Sequence, residues 1–534
     1  MMNTYNNTSD NTNQNQSINN SYSGQTYNGT YAAQTINGVN AAPPYIQRVS
    51  RFQEAEAVEV QDFREKMARK LGIGSLIYAA VFTFCLYNNL TGVTMPFFGI
   101  ATLVYMIYAL KLYNIQIKKL SWFYGSILMA LTISNFLTGN LTFHFFNTVG
   151  ILIMLFIFLL HNVYDDSRWN FSKTFISCFE AFFCSIGEMD DFTKDMKVLK
   201  QRKKVNEANV EKRNTLKYIF IGLLISVPLA GIILLLLSSA DKVFNLFLSK
   251  YLSFDFNIST FIGIIITFAF SFFGSYCILR FFSKKTIREE VTSHRNMEPV
   301  IAITVLSIIS VIYLFFSMIQ IIYLFWGGMK LPNNYSYSDY AREGFFQLLA
   351  VSIINFLMVL FVNSYFRESR ILKVLMTVIS GCTYIMIASS CMRMLIYIDA
   401  CLLTSLRIWV LWGLAVLSLL FVAVIISIYK NGFPLFKYSI IVVGIMYALI
   451  SFAHPDYIIA DYNLKYMNTI EPEIAKQDYE YLTELSTDAA PVIYEYNTEW
   501  ADQYFANNKY FYKEKGLRKF NLSGYTARVL SENR

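Results

Sequence analysis

The ionisable residues best placed to do chemistry in this chain stand where long apolar stretches begin or end. Asp241 lies in Ser-Ser-Ala-Asp-Lys-Val-Phe, and Tyr340, Arg342, Glu343 and Gln347 lie in Tyr-Ala-Arg-Glu-Gly-Phe-Phe-Gln. Arg393, Tyr397 and Asp399 close one apolar stretch, and Thr404 and Arg407 open the next. Charge at or inside an apolar segment is costly, so such residues need partners or a task. The arginines and acids are expected to form one desolvated cluster at a common depth. In it, bidentate guanidinium–carboxylate pairs would pin the helix ends. Stapling of the bundle is one reading of that cluster. The other is an anion or sugar-phosphate site with Arg342, Arg393 and Arg407 as the binding groups.

Other chemistry is poorly supplied, and no catalytic, cofactor-binding or metal-binding residue is assigned. The seven cysteines include no C-x-x-C pair, and the four histidines show no metal spacing. No Walker loop, G-x-G-x-x-G, G-x-S-x-G elbow or kinase signature occurs, which removes the usual sites of ATP hydrolysis and ester chemistry. Nothing resembles a nucleic-acid recognition motif, so no nucleic-acid partner is expected.

The elements that must position the cluster are membrane helices. Hydrophobic residues make up 55% of the 534 and charged ones only 15%. Eleven stretches are long and apolar enough to cross a bilayer: 71–88, 95–113, 121–138, 145–161, 216–238, 257–280, 299–325, 346–364, 374–397, 408–428 and 436–453. The pattern predicts an all-α, polytopic transmembrane bundle. Lys and Arg crowd alternate loops, with Lys118 and Lys119, the run from Lys194 to Arg213, and Arg367, Arg370 and Lys373 on one side. The positive-inside rule then places the N-terminus in the cytoplasm and the C-terminus outside.

The organisation expected is a disordered Asn/Ser/Thr-rich tail over 1–50, an amphipathic juxtamembrane helix over 51–70 and four spans over 71–161. A cytoplasmic interfacial helix and basic loop follow over 162–215, then spans five to eleven over 216–453, and a helical extracytoplasmic region over 454–534. Phe175, Ile176, Phe179, Phe182, Phe183 and Ile186 recur at three- and four-residue spacing and make one apolar face. From Lys194 to Lys217 nine cations face three acids, a composition suited to anionic lipid heads as well as to topology. In the C-terminal region, residues 471–502 hold nine acids and 509–519 are basic, so two neighbouring helices are expected to attract each other.

Several separated stretches carry a family likeness. Tyr335-Ser-Tyr-Ser-Asp-Tyr-Ala-Arg-Glu-Gly-Phe-Phe-Gln347 with Asn355 resembles the most characteristic segment of the bacterial multi-spanning proteins grouped as domain of unknown function 4153/4173. Met392-Arg-Met-Leu-Ile-Tyr-Ile-Asp-Ala-Cys-Leu-Leu-Thr-Ser-Leu-Arg407 resembles a second, where that family usually reads Tyr-Gly at Cys401 and Leu402. Pro455-Asp-Tyr-Ile-Ile-Ala-Asp-Tyr-Asn463, Asp478 to Pro491 and Phe520-Asn-Leu-Ser523 resemble further segments in the same order, as does Ser239 to Phe244. The resemblance implies a multi-spanning protein of a bacterial cell membrane and carries over no catalytic residue. The function expected is non-enzymatic sensing, binding or assembly at the envelope, with the bilayer, anionic lipid and an envelope protein as partners. Secondary transport of a small solute is the alternative, followed by glycan transfer using external arginines.

Overall fold

The computed structural model describes residues 58–167, 169, 171–207, 258–289, 295–322, 345–430, 432–470, 472–496, 498–512 and 516–534, with 233, 237, 240, 241 and 244. The chain divides into Met1–Val60 and Gln61–Arg534. Of the first unit only 58–60 are described, as the start of a helix. The expected tail over 1–50, most of the fifth span (216–238), and Tyr340, Arg342 and Glu343 lie outside the described residues.

Ten described helices are long and apolar enough to cross a membrane. An apolar chain in lipid must satisfy every backbone polar group internally, which a helix does within one segment. The spans are α1 (Gly72–Leu86), α2 (Thr94–Leu112), α3 (Ser121–Leu137), α4 (Leu141–Val163), α7 (Ile258–Lys284) and α8 (Pro299–Gln320), then α9 (Phe345–Tyr365), α10 (Arg370–Cys401), α11 (Ser405–Tyr429) and α12 (Leu435–Phe452). Between α4 and α7 stand α5 (Phe171–Ile186) and α6 (Met189–Glu207). Beyond α12 come α13 (Pro455–Tyr466), α14 (Pro472–Thr483), the short α15 (Ala490–Ile493), α16 (Glu499–Tyr512) and α17 (Leu522–Glu532), here called the cap.

The juxtamembrane segment differs from expectation. From Val58 to Leu86 the backbone is one helix, with a π turn at Met67–Leu71 where a separate surface helix was expected to end. No proline interrupts it. Helices α1 to α4 and α7 share one apolar core, and α8 to α11 share a second. Helix α12 packs between the two groups, against α11 and α3. Side-chain hydrogen bonds tie neighbours at depth, as Asn355 does to Thr383 (2.9 Å) and Tyr313 (2.8 Å), and Gln320 to Ser389 (2.7 Å).

At the end of the bundle opposite the cap, the buried Asp195 of α6 collects four donors. Arg64 Nη1 lies at 2.8 Å, Tyr276 Oη at 2.8 Å, Arg280 Nε at 2.9 Å and Arg280 Nη2 at 3.3 Å. One turn earlier Asp191 pairs with Arg64 (3.0 Å) and with Lys284, which also reaches Glu188 (2.8 Å). Helix α6 is thereby clamped to α7 and to the helix leading into α1. Its neighbour α5 exposes Phe175, Ile176, Phe179 and Phe183 on one face.

Candidate functional site

The cap end is assembled from the turn joining α10 to α11. Helix α10 has 32 residues, about 48 Å at 1.5 Å per residue, whereas the hydrocarbon layer is roughly 30 Å thick. Part of it must therefore project beyond the hydrocarbon, and its C-terminal end meets the cap. There Leu402 takes φ 61° and ψ −172°, a region that L side chains rarely enter, with its side chain buried.

Two sets of contacts hold this turn. From α11, Arg407 Nη1 donates to the carbonyls of Cys401 (2.5 Å) and Leu402, and its guanidinium stacks 4.1 Å from the Tyr397 ring. From the cap, Asn463 accepts from Leu403 N (2.9 Å) and donates to Leu403 O (2.9 Å) and to Asp478 (2.9 Å). The Tyr481 hydroxyl accepts from Ser405 N at 2.9 Å. Burial pushes the Asp478 carboxyl up to about 6, against the pull of Asn463 and the Arg407 charge.

A second polar centre seats the cap on α3, α4 and α12. Asp488 accepts from Thr138 Oγ1 (2.5 Å) and Gly139 N (2.8 Å), and it lies 3.2 Å from His454 Nδ1. Burial pushes the Asp488 carboxyl up, but hydrogen bonds from His454, Ser523 and Thr138 more than reverse this, leaving it below the usual carboxylate range. The Asp488 hydrogen bond in turn raises His454, against its own desolvation. Asp456 accepts from Asn140 Nδ2 (2.9 Å) and Ser486 N (3.1 Å), and burial raises its carboxyl. Asn521 caps α17 and shares its amide hydrogens among the carbonyls of Thr91 (2.9 Å), Phe136 (3.0 Å), Thr138 (2.9 Å) and Asn135 (3.3 Å). Gly139 allows this close approach, because a Cβ there would fall on the Thr487 hydroxyl and force it to move.

The residues expected to cluster are only partly brought together. Arg393, Tyr397, Thr404 and Arg407 stand at the cap end, with Arg393 and Arg407 buried. Asp399 and Gln347 are exposed, and Asp399 adds to the burial that raises the Tyr462 phenol. Asp241 is exposed. Arg407 departs from the expected pairing with a carboxylate, since its hydrogen bonds go to backbone carbonyls. A turn whose peptide groups face away from the helices leaves those carbonyls in need of donors. Of the acidic and basic cap segments expected to attract each other, Lys513 and Lys515 lie outside the described residues. Asp502 and Lys509 share α16, Arg534 pairs with Asp502 (2.6 Å), and Arg518 donates to Phe84 O (2.9 Å).

Sequence reasoning missed His454, Asp456, Asn463, Asp478, Asp488 and Asn521 as site residues. All but His454 lie in the segments that carry the family likeness, and that was the available signal.

Helices of this length and hydropathy, with a polar cap locked to their ends, define a polytopic α-helical membrane protein. The family model described as domain of unknown function DUF4153 matches residues 125–496, and the chain belongs to that family. No curated protein and no solved structure matches it.

Proposed function

We propose that this is a non-enzymatic protein of a bacterial cell membrane that binds or assembles an envelope partner at its cap end. The observation that carries this reading is how the buried carboxylates of the cap are used. Asp456, Asp478 and Asp488 each accept from donors inside the fold, which makes the cap a rigid extension of the span ends. A rigid platform at headgroup depth suits display and recognition. In the same reading the apolar face of α5 rests on lipid and the basic segment 194–217 attracts anionic headgroups.

The test is photocrosslinking in intact cells from position 525, where Tyr525 is 51% exposed on the cap. A discrete adduct that fades in Asp488→Ala, with membrane abundance retained, supports the reading. Failure to capture a partner, together with solute accumulation driven by an ion gradient in reconstituted vesicles, would replace it with transport.

A further inference from the structure

A cavity of about 290 Å³ opens between α9, α10 and α11 at the cap end, and it is lined by Phe345, Phe346, Met394, Tyr397, Arg407 and Val410 among others. Among the described residues of that lining Arg407 is the one that carries a charge, and it is 9% exposed. Its Nη1 is taken by the Cys401 and Leu402 carbonyls, while Nε and Nη2 make no hydrogen bond to a described residue. A buried guanidinium carries five N–H donors and loses free energy for each left without an acceptor. The cavity also meets the first turn of α11, whose amides add positive potential, and Thr404 supplies no side-chain cap there. Apart from Thr404, the other described lining residues are apolar or aromatic.

This pairing of one desolvated cation with apolar walls, at the end of a membrane-length helix bundle, matches an amphiphile better than a small soluble anion. Asp478 feels the Arg407 charge, and it is already engaged by Asn463.

We propose that this cavity binds one anionic membrane lipid, with its phosphate on Arg407 and the first turn of α11 and its upper chain along Phe345, Phe346 and Val410. The proposal deepens the binding role above by naming a ligand class, and that role would survive its failure with the partner surface elsewhere on the cap.

The test is native mass spectrometry of the full chain in neutral detergent, titrated with phosphatidylglycerol or with phosphatidylcholine of the same chains. The expected result is one retained phosphatidylglycerol per chain, preferred about tenfold, or ~1.4 kcal/mol. Arg407→Gln should abolish that preference. Because Arg407 also clamps the turn, Leu406→Trp provides a second arm, narrowing the cavity while leaving the clamp intact. It should lower retention of phosphatidylglycerol with little change in thermal stability. Equal retention of both lipids, or an undiminished preference in both variants, would overturn the proposal. Displacement of the lipid by millimolar inorganic phosphate would also overturn it, by showing an anion site to which the apolar walls add nothing.

Discussion

The guanidinium of Arg407 donates to the carbonyl of Leu402, a residue held at φ 61° and ψ −172° with its side chain buried. Such backbone strain costs about 1–3 kcal/mol and persists where surroundings over-determine it. Glycine at this position would carry no such penalty.

Leu402→Ala removes a buried side chain and keeps the strain, so a loss of about 2–5 kcal/mol is expected. Leu402→Gly removes the same side chain and relieves the strain. Thermal unfolding of the two purified variants should therefore rank glycine above alanine. The reverse order would mean that the turn is not strained.

Asp488→Ala leaves the Gly139 amide and the Thr138 hydroxyl without their acceptor and His454 without its counter-charge. Breaking a buried pair from one side costs roughly 3–5 kcal/mol. Limited proteolysis should then cleave the cap before the spans, whereas wild type resists in both.

Stability of the cap should peak in mildly acid solution. The His454 pKa is raised on folding, so its contribution is complete below the ordinary histidine value and is lost as pH rises through the folded value. Asp478 is raised to about 6, so folding opposes its ionisation and the cap gains stability as pH falls through 6. Asp488 is lowered, so its contribution is present above the ordinary aspartate value and is lost as pH falls through the lower folded value. Melting temperature followed against pH should fall on both sides, and Asp478→Asn should flatten the limb near pH 6.

Gly139→Ala should undock the cap locally, because the added methyl meets the Thr487 hydroxyl at a turn fixed by Asp488 and Asn521. Overpacking of this kind costs typically about 1–3 kcal/mol. Faster amide exchange around 135–140, with the α8–α11 group unchanged, is the expected readout.

At the other end, Asp195→Asn removes the charge that balances Arg64 and Arg280. Both arginines stay partly or wholly buried, so a loss of about 3–5 kcal/mol and lower membrane abundance are expected. Wild-type abundance would show that the cluster is dispensable.

Hydropathy along the chain determined which segments become helices in lipid, because that requirement acts segment by segment and needs no knowledge of neighbours. Each of the ten described spans overlaps a stretch legible that way, and the congregation of Arg393, Tyr397, Thr404 and Arg407 at span ends was legible too. Partner choice was not legible. That Arg407 clamps carbonyls, that Asp195 gathers two arginines and a tyrosine, and that Asp488 anchors a cap to a turn some 350 residues away depend on which helix ends lie side by side. Only tertiary packing decided this, because the energy of a polar group in a low dielectric is set by what lies within hydrogen-bonding reach, and distance along the chain says nothing about that reach.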